Sequence, residues 1–316
     1  MDALSEVLAT IHIGNNTCYP LTICSPWGIR SEEFIGTSFW TVKRGSCWLQ
    51  VGDTEKPLSL VAGDFILFPR FQEHMLYDKP ESLISNNTNW LNCHSHLPSE
   101  PIKLLGEGLE TTLLYGKLQL EGPIVNQLLT PLPEFILIRE QETQSAPWLN
   151  TTIQFLTAEL SSQNPGNNAV INNLLLIIFV QTIRYYIHSK SEECQAEKPG
   201  GCWLKALKDS QIGTAITLIH RYPQKPWTVA SLASEVKMSR SGFASNFREL
   251  VGEPPLQYLT RWRMQKAAGL LRLGYQTLAE IASEVGYESE AAFSNAFKRW
   301  MQVSPGVFRR ETQSKT

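Results

Sequence analysis

The side chains best suited to chemistry in this sequence are small, hydroxylated or cationic, and they occur in two matching sets. Ser239, Arg240, Ser241, Ser245 and Arg248 fall on one face of a helical pattern, and Ser289, Glu290, Ala291, Asn295 and Lys298 fall on the same face of another. Arginine, asparagine and serine bond base edges or phosphate oxygens, and small side chains let a helix enter the major groove closely. A second kind of chemistry, metal binding, has His74 and the run Cys93-His94-Ser95-His96 as its candidates. One histidine cannot hold a catalytic metal, and three ligands from one asparagine-rich loop are a weak site. No metal is expected.

The elements that must carry the two polar faces are legible as a repeat. Leu232-Ala233-Ser234-Glu235-Val236 recurs as Ile281-Ala282-Ser283-Glu284-Val285, and further on Phe243 maps to Phe293, Phe247 to Phe297 and Pro255 to Pro305. Each copy spells helix, tight turn, helix. Thr228 and Thr277 can cap first helices over Val229–Val236 and Leu278–Val285, and Ser239 and Ser289 can cap the second helices. Phe243, Phe247 and Leu250, like Phe293, Phe297 and Trp300, lie at i, i+4 and i+7, which gives each second helix one stripe to bury. Between the copies, Pro255–Leu273 reads as one connecting helix. Its core candidates are Leu256, Leu259, Trp262, Ala267, Leu270 and Leu271, and its cations Arg261, Arg263, Lys266 and Arg272 add to the positive field. Two such heads on a rigid connector can address successive major-groove faces.

Charge divides the chain in the same way. The whole has a net charge of −2, but residues 204–316 carry 16 Lys and Arg against 9 Asp and Glu, leaving residues 1–203 strongly acidic. A basic binding module joined to an acidic partner domain follows. The start, MDALSE, has acids where an export signal needs positive charge. The longest uninterrupted apolar run, Leu174–Val180, is 7 residues, against the roughly 20 of a spanning helix. A cytoplasmic protein without membrane attachment is expected. Six cysteines without a CxxC pair fit neither a disulfide scaffold nor a zinc ribbon.

Residues 10–120 read as short strands: Ser46–Val51, Leu58–Val61 and Phe65–Phe68, separated by Gly52-Asp53 and Ala62-Gly63-Asp64. They suggest a small antiparallel barrel or sandwich. From Trp148 the period becomes helical. Over Ala169–His188 apolar residues at Val170, Leu174, Ile177, Ile178, Ile183 and Ile187 must be covered, either by the domain itself or by a second copy in a homodimer. Ser189–Gly201, polar and ending Pro-Gly-Gly, has a linker's composition. The division expected is a sensor domain with a helical segment over 1–188, a linker over 189–203 and a DNA-binding domain over 204–316.

Residues Thr228–Arg310, with PWTVASLASEVKMSRSGFASNFRELVGEPPLQYLTRWRMQKAA and IASEVGYESEAAFSNAFKRWMQVSPGVFRR, resemble the DNA-binding domain of the AraC/XylS family. The resemblance covers roughly a third of the chain. It implies a transcription regulator, an activator or a repressor, that binds double-stranded promoter DNA beside RNA polymerase. Base-facing roles would fall to Arg240, Ser241, Ser245, Glu290, Ala291 and Asn295. Glu290 and Ala291 depart from long cationic or amide readers, so the first head is expected to discriminate more than the second. Ahead of it, GDFILFPRFQEH (Gly63, Pro69, His74) resembles the second motif of the cupin barrel, with Phe71 where a glycine usually follows the proline. The fold implied is α+β, a cupin-like β-barrel and helical dimerisation segment followed by an all-α tandem helix-turn-helix domain. Metal-dependent cupins add a His-x-His strand, but Thr37–Val42 contains no histidine, so no cofactor and no enzymatic activity are expected. The opening residues and Cys18…Cys24…Trp27 resemble the reactive-chlorine-sensing subgroup, which implies redox sensing at Cys18 and Cys24 if Tyr19–Ile23 turns back to let them bridge. No cysteine stands in Thr112–Gly116, where that subgroup tends to place one. The signal is then an oxidant or a small molecule in a barrel mouth lined by Phe39, Trp40, Trp48 and Phe68. Two other functions fit the same chain: a DNA-binding adaptor without effector, and a metal-dependent cupin enzyme fused to a DNA module.

Overall fold

The structure, a computed structural model, describes residues 3–8, 11–14, 16–31, 34, 36–52, 56–83, 89–93, 102–104, 108–121, 125–142, 146–162, 164–189 and 203–313. Among the described residues the strands are β1 His12–Ile13, β2 Thr17–Cys24, β3 Trp27–Ser31, β4 Thr37–Arg44, β5 Ser46–Val51, β6 Leu58–Val61, β7 Phe65–Phe68, β8 His74–Tyr77, β9 Asn89–Cys93, β10 Ile102–Leu104, β11 Glu110–Leu118, β12 Leu120–Glu121 and β13 Ile136–Ile138. The α-helices among the described residues are α1 Ala3–Leu8, α2 Val125–Leu129, α3 Pro147–Leu160, α4 Asn167–Ser189, α5 Trp203–Lys208, α6 Ser210–Arg221, α7 Val229–Glu235, α8 Arg240–Val251, α9 Pro255–Leu273, α10 Leu278–Glu284, α11 Glu290–Met301 and α12 Pro305–Gln313.

The chain separates into two compact units. One holds residues 13–120 and 132–190; the other holds residues 1–12, 121–131 and 191–316. The second unit thus includes α1, which packs against α6, although the sequence places it with the sensor. Of the expected linker, residues 190–202 lie outside the described residues.

In the first unit a six-stranded sheet, ordered β10-β2-β11-β4-β7-β13, faces a five-stranded sheet, ordered β6-β5-β8-β3-β9. Most neighbours are antiparallel, with β10–β2 and β3–β9 parallel. Period-2 alternation builds the core between them. Tyr19, Leu21 and Ile23 of β2 point inward with Trp40 and Val42 of β4, opposite Leu49, Val51 and Leu76 from the other sheet. The expected cupin-like arrangement is therefore two packed sheets, and no ladder joins them among the described residues. The outer face of the six-stranded sheet is also covered, which is why β4 is buried from Thr37 to Val42. There Phe39 stacks on Phe65 with ring centroids 5.4 Å apart. Gly116 faces Phe39 across the ladder, and a Cβ on it would stand 2.0 Å from the ring. Only glycine gives the ring room.

Outside the sheets, α3 and α4 form an antiparallel hairpin closed by Asn167, whose side-chain amide donates to the Glu159 and Ser162 carbonyls at 2.6 and 2.8 Å. By length and composition α4 could cross a membrane, but its second half is a core helix, with Leu175, Ile178, Phe179, Ile183 and Tyr186 buried. Val170 and Ile177, expected on the covered face, are each 44% exposed, and Phe155 of α3 is 63% exposed. The true buried stripe starts at Leu175, one position away from the expected Leu174.

Candidate nucleic-acid interface

The second unit bears out the repeat in its hydrogen bonds. Thr228 and Thr277 each form a capping box, with Ser231 and Glu280 respectively. Just past the C-cap of each first helix stands a residue of positive φ, Lys237 at 55° and Gly286 at 81°, forty-nine positions apart. The next amide closes each turn: Met238 N–H donates to the Ala233 carbonyl at 2.9 Å and Tyr287 N–H to Ala282 at 2.8 Å. Ser239 and Ser289 then accept from the amides of Gly242 and Ala292, starting α8 and α11. Such caps satisfy amide groups that the first helical turn leaves without partners.

Each second helix buries its phenylalanines completely: Phe243 and Phe247 in α8, Phe293 and Phe297 in α11. Leu250 and Trp300 are only half-buried. The opposite faces carry Ser239, Arg240, Ser241, Ser245 and Arg248 on α8, and Ser289, Glu290, Ala291, Asn295 and Lys298 on α11, all exposed. Two helices of twelve residues thus present matching polar faces from rigid seats. Lys237, just ahead of α8, and Arg299, beside Lys298, are further exposed cations that the sequence reading passed over. Their signal was proximity to the caps and last turns rather than placement on the repeated face.

The connector's cations behave differently. α9 spans Pro255–Leu273 as expected, and it buries Leu259, Trp262, Ala267 and Leu271, together with Tyr258 and Met264. Leu256, expected in the core, is 41% exposed, because it follows the buried Pro255 on the opposite side of the first turn. Arg261 is paired with Glu253. Lys266 lies 3.2 Å from Glu284. Arg263 donates to the backbone carbonyls of Pro223 and Lys225. All three, expected to face DNA, are held within their own domain.

In the sheet domain His74 is 4% exposed. Its Nε2 accepts from the Trp40 indole N–H at 3.0 Å, and its Nδ1 lies 2.7 Å from the Gln72 carbonyl. A neutral ring protonated at Nδ1 satisfies both contacts, and burial pushes its pKa down to about 4. With both nitrogens engaged, His74 has no lone pair to offer a metal. Among the described residues no three His, Cys, Asp or Glu side chains converge as metal ligands; His94 and His96 lie outside them. Trp40 and Phe68 fill the space between the sheets, Phe39 sits on the outer face, and Trp48 is half-buried. They line no shared mouth.

Cys18 and Cys24 both lie on β2, which pairs along its length with β11 and in part with β10. With five residues of extended strand between them, they stand about 20 Å apart, whereas a disulfide needs Cα atoms within about 7 Å. The expected bridge requires Tyr19–Ile23 to turn back, and instead that segment is a ladder strand. Cys18 is buried, and burial pushes its thiol far above the ordinary range, while Cys47, facing the core, is pushed up to about 12. Thiols held protonated are poor nucleophiles.

Comparison with known proteins agrees with this architecture. Residues 2–188 match the Cupin family, and residues 232–311 match the Helix-turn-helix domain family. An AraC-like transcription regulator of Streptomyces lividans is 31% identical over 311 residues, covering 98% of each chain. The transcriptional regulator AlkR of Acinetobacter baylyi is 30% identical, over 99% of this chain and all of its own. The reactive-chlorine-specific transcriptional activator RclR of Escherichia coli is 32% identical over 99% of both chains. With two capped helix-turn-helix heads behind a two-sheet cupin domain, and full-length similarity to these regulators, the chain belongs to the AraC family of DNA-binding transcriptional regulators.

Proposed function

We propose that α8 and α11 enter successive major grooves of double-stranded promoter DNA. Arg240, Ser241 and Ser245 are the main base readers; Glu290, Ala291 and Asn295 discriminate less. Ser239, Arg248, Ser289 and Lys298 serve the phosphates. The observation that supports this reading most is the exposed polar face of α8, seated on two fully buried phenylalanines and led by an arginine in its first turn. Arg240→Ala is expected to weaken binding by about 1–3 kcal/mol and to relax preference at one base pair. A mobility-shift titration on selected duplexes checks it; an equal loss on every sequence would make Arg240 a phosphate contact instead. Arg261, Arg263 and Lys266, half-exposed and each held by a partner in its own domain, are assigned to bracing the domain rather than to reading bases.

The regulator works in the cytoplasm with RNA polymerase as its partner, as a non-catalytic protein without cofactor. It acts as a homodimer through the hairpin face bearing Phe155, Val170 and Ile177, large apolar side chains left open to water. Ile177→Glu is expected to shift the chain from dimer to monomer in sedimentation equilibrium; a wild-type chain monomeric at every concentration would refute the dimer. The signal is a small polar molecule rather than a Cys18–Cys24 bridge. A cleft of about 690 Å³, lined by Asn16, Cys18, Tyr19, Asn164, Asn168 and Ile171, opens between β2 and the turn of that hairpin. A ligand there biases dimer geometry and so promoter occupancy. Saturable effector dependence of promoter binding separates this regulator from an effector-free adaptor.

A further inference from the structure

Arg263 stands at the middle of α9, between the two heads, and its guanidinium touches both. On one side Nε donates to the Pro223 carbonyl at 2.7 Å and Nη2 to the Lys225 carbonyl at 2.9 Å. That segment, the lead-in to the first helix-turn-helix, is itself stiff: Trp227 Nε1 donates to the Tyr222 carbonyl at 2.9 Å, and the Lys225 and Trp227 amides bond within the turn. On the other side the guanidinium carbon lies 5.7 Å from the centre of the Tyr287 ring, in the turn of the second helix-turn-helix. Tyr287 in turn packs edge-on against Phe293, a buried anchor of the second reading helix, with centroids 6.0 Å apart.

Gly286 records how close this joint is. A Cβ there would meet Arg263 Nη2 at 2.7 Å and Gln224 Cα at 2.8 Å. Its repeat counterpart, Lys237, adopts a similar left-handed conformation with a full side chain. Backbone conformation alone therefore does not demand glycine at 286; the approach of the two heads around Arg263 does.

We infer that Arg263 is a positioning residue, a strut that fixes the spacing and rotation of the second reading helix relative to the first and so makes the regulator selective for the distance between its two half-elements. This rests on the two-head reading above. A flexible joint would let each head find its half-element but would lose the gain from presenting both at once. A planar fork holding two carbonyls while lying over an aromatic ring is a task lysine cannot perform, although it keeps the charge.

The experiment uses the full-length chain and duplexes that wild type selects from a random pool. Each duplex is also prepared with its second half-element scrambled, and with about 5 bp, half a helical turn, inserted between the halves. Wild type is expected to lose affinity sharply on the inserted duplex. Arg263→Lys should bind the intact duplex about tenfold or more weakly and show a flattened dependence on spacing. Its affinity for the scrambled duplex, which also reports that the first head is folded, should stay within about twofold of wild type, with the salt slope of binding unchanged. Tyr287→Leu, which removes the platform and leaves the cation, should flatten the spacing dependence in the same way. If Arg263→Lys matches wild type while Arg263→Gln weakens binding to all duplexes and lowers the salt slope by about 0.9, Arg263 is a phosphate contact and the strut is overturned. Wild-type spacing preference retained in both Arg263→Lys and Tyr287→Leu overturns it too. A wild-type chain indifferent to spacing overturns the two-head reading and the strut with it.

Discussion

Phe297→Ala is expected to lower the stability of the DNA-binding unit by about 3–5 kcal/mol, most of the margin of a small domain. Phe297 is fully buried, with its ring 5.7 Å from Phe293 and 5.5 Å from Phe308. It belongs to a cluster that includes Met264, Leu271, Ile281 and Val285, drawn from the connector and both helices of the second head. Truncation leaves a cavity that three separate helices would have to shift to fill, so relaxation is incomplete. The repeat supplies an internal control. Phe247 occupies the corresponding place in the first head, in contact with Phe243 and Tyr258, and Phe247→Ala should cost a similar amount. Urea denaturation monitored by helical circular dichroism measures both. A cost below about 1 kcal/mol for either variant would mean that its head is not packed as described.

Acidification should destabilise the sheet domain through His74. Folded, its pKa is held at about 4, against about 6.5 for an ordinary histidine. Above pH 6.5 the ring is neutral in both states and contributes no pH dependence. As pH falls from about 6.5 to 4, the unfolded chain takes up a proton that the folded chain refuses, and stability falls by up to about 3 kcal/mol. Below about 4 the folded ring also protonates and this contribution levels off. The cause is burial, reinforced by a Trp40 N–H that points its donor at Nε2, the atom a second proton would occupy. Denaturant midpoints between pH 7 and 4, with the ring followed by NMR, check this. A His74 ring titrating near 6.5 in the folded protein would refute it.

The DNA-binding unit was legible because its determinants are local. A cap bonds three residues ahead, an apolar stripe repeats every three or four residues, and the turn between helices is a few residues long. Thr228, Ser239, Thr277, Ser289 and the four phenylalanines therefore announce their roles, and the duplicated spacing announces them twice. The strands Ser46–Val51, Leu58–Val61 and Phe65–Phe68 were legible for the same reason, with alternation and turn residues defining their ends.

What the sequence could not reveal lies in contacts between distant segments. Arg261, Arg263 and Lys266 look alike as cations on one helix, but the packing of α9 brings Glu253, the 223–225 carbonyls and Glu284 to them and ties each to its own domain. Cys18 and Cys24 look close in number, but the pairing of β2 with β11, about ninety residues on, holds them at opposite ends of an extended strand. Val170 and Ile177 look like core until α3 covers a different face of α4. Local propensity and hydrophobic period were enough to reveal short paired strands ahead of two repeated helix-turn-helix units, and resemblance to the cupin and AraC/XylS motifs supplied their kind. The packing of distant segments settled which cations are held by partners in their own domain, which thiols can meet and how the heads are braced. Those outcomes depend on which surfaces pack together, and a side chain's partner then lies tens of residues away.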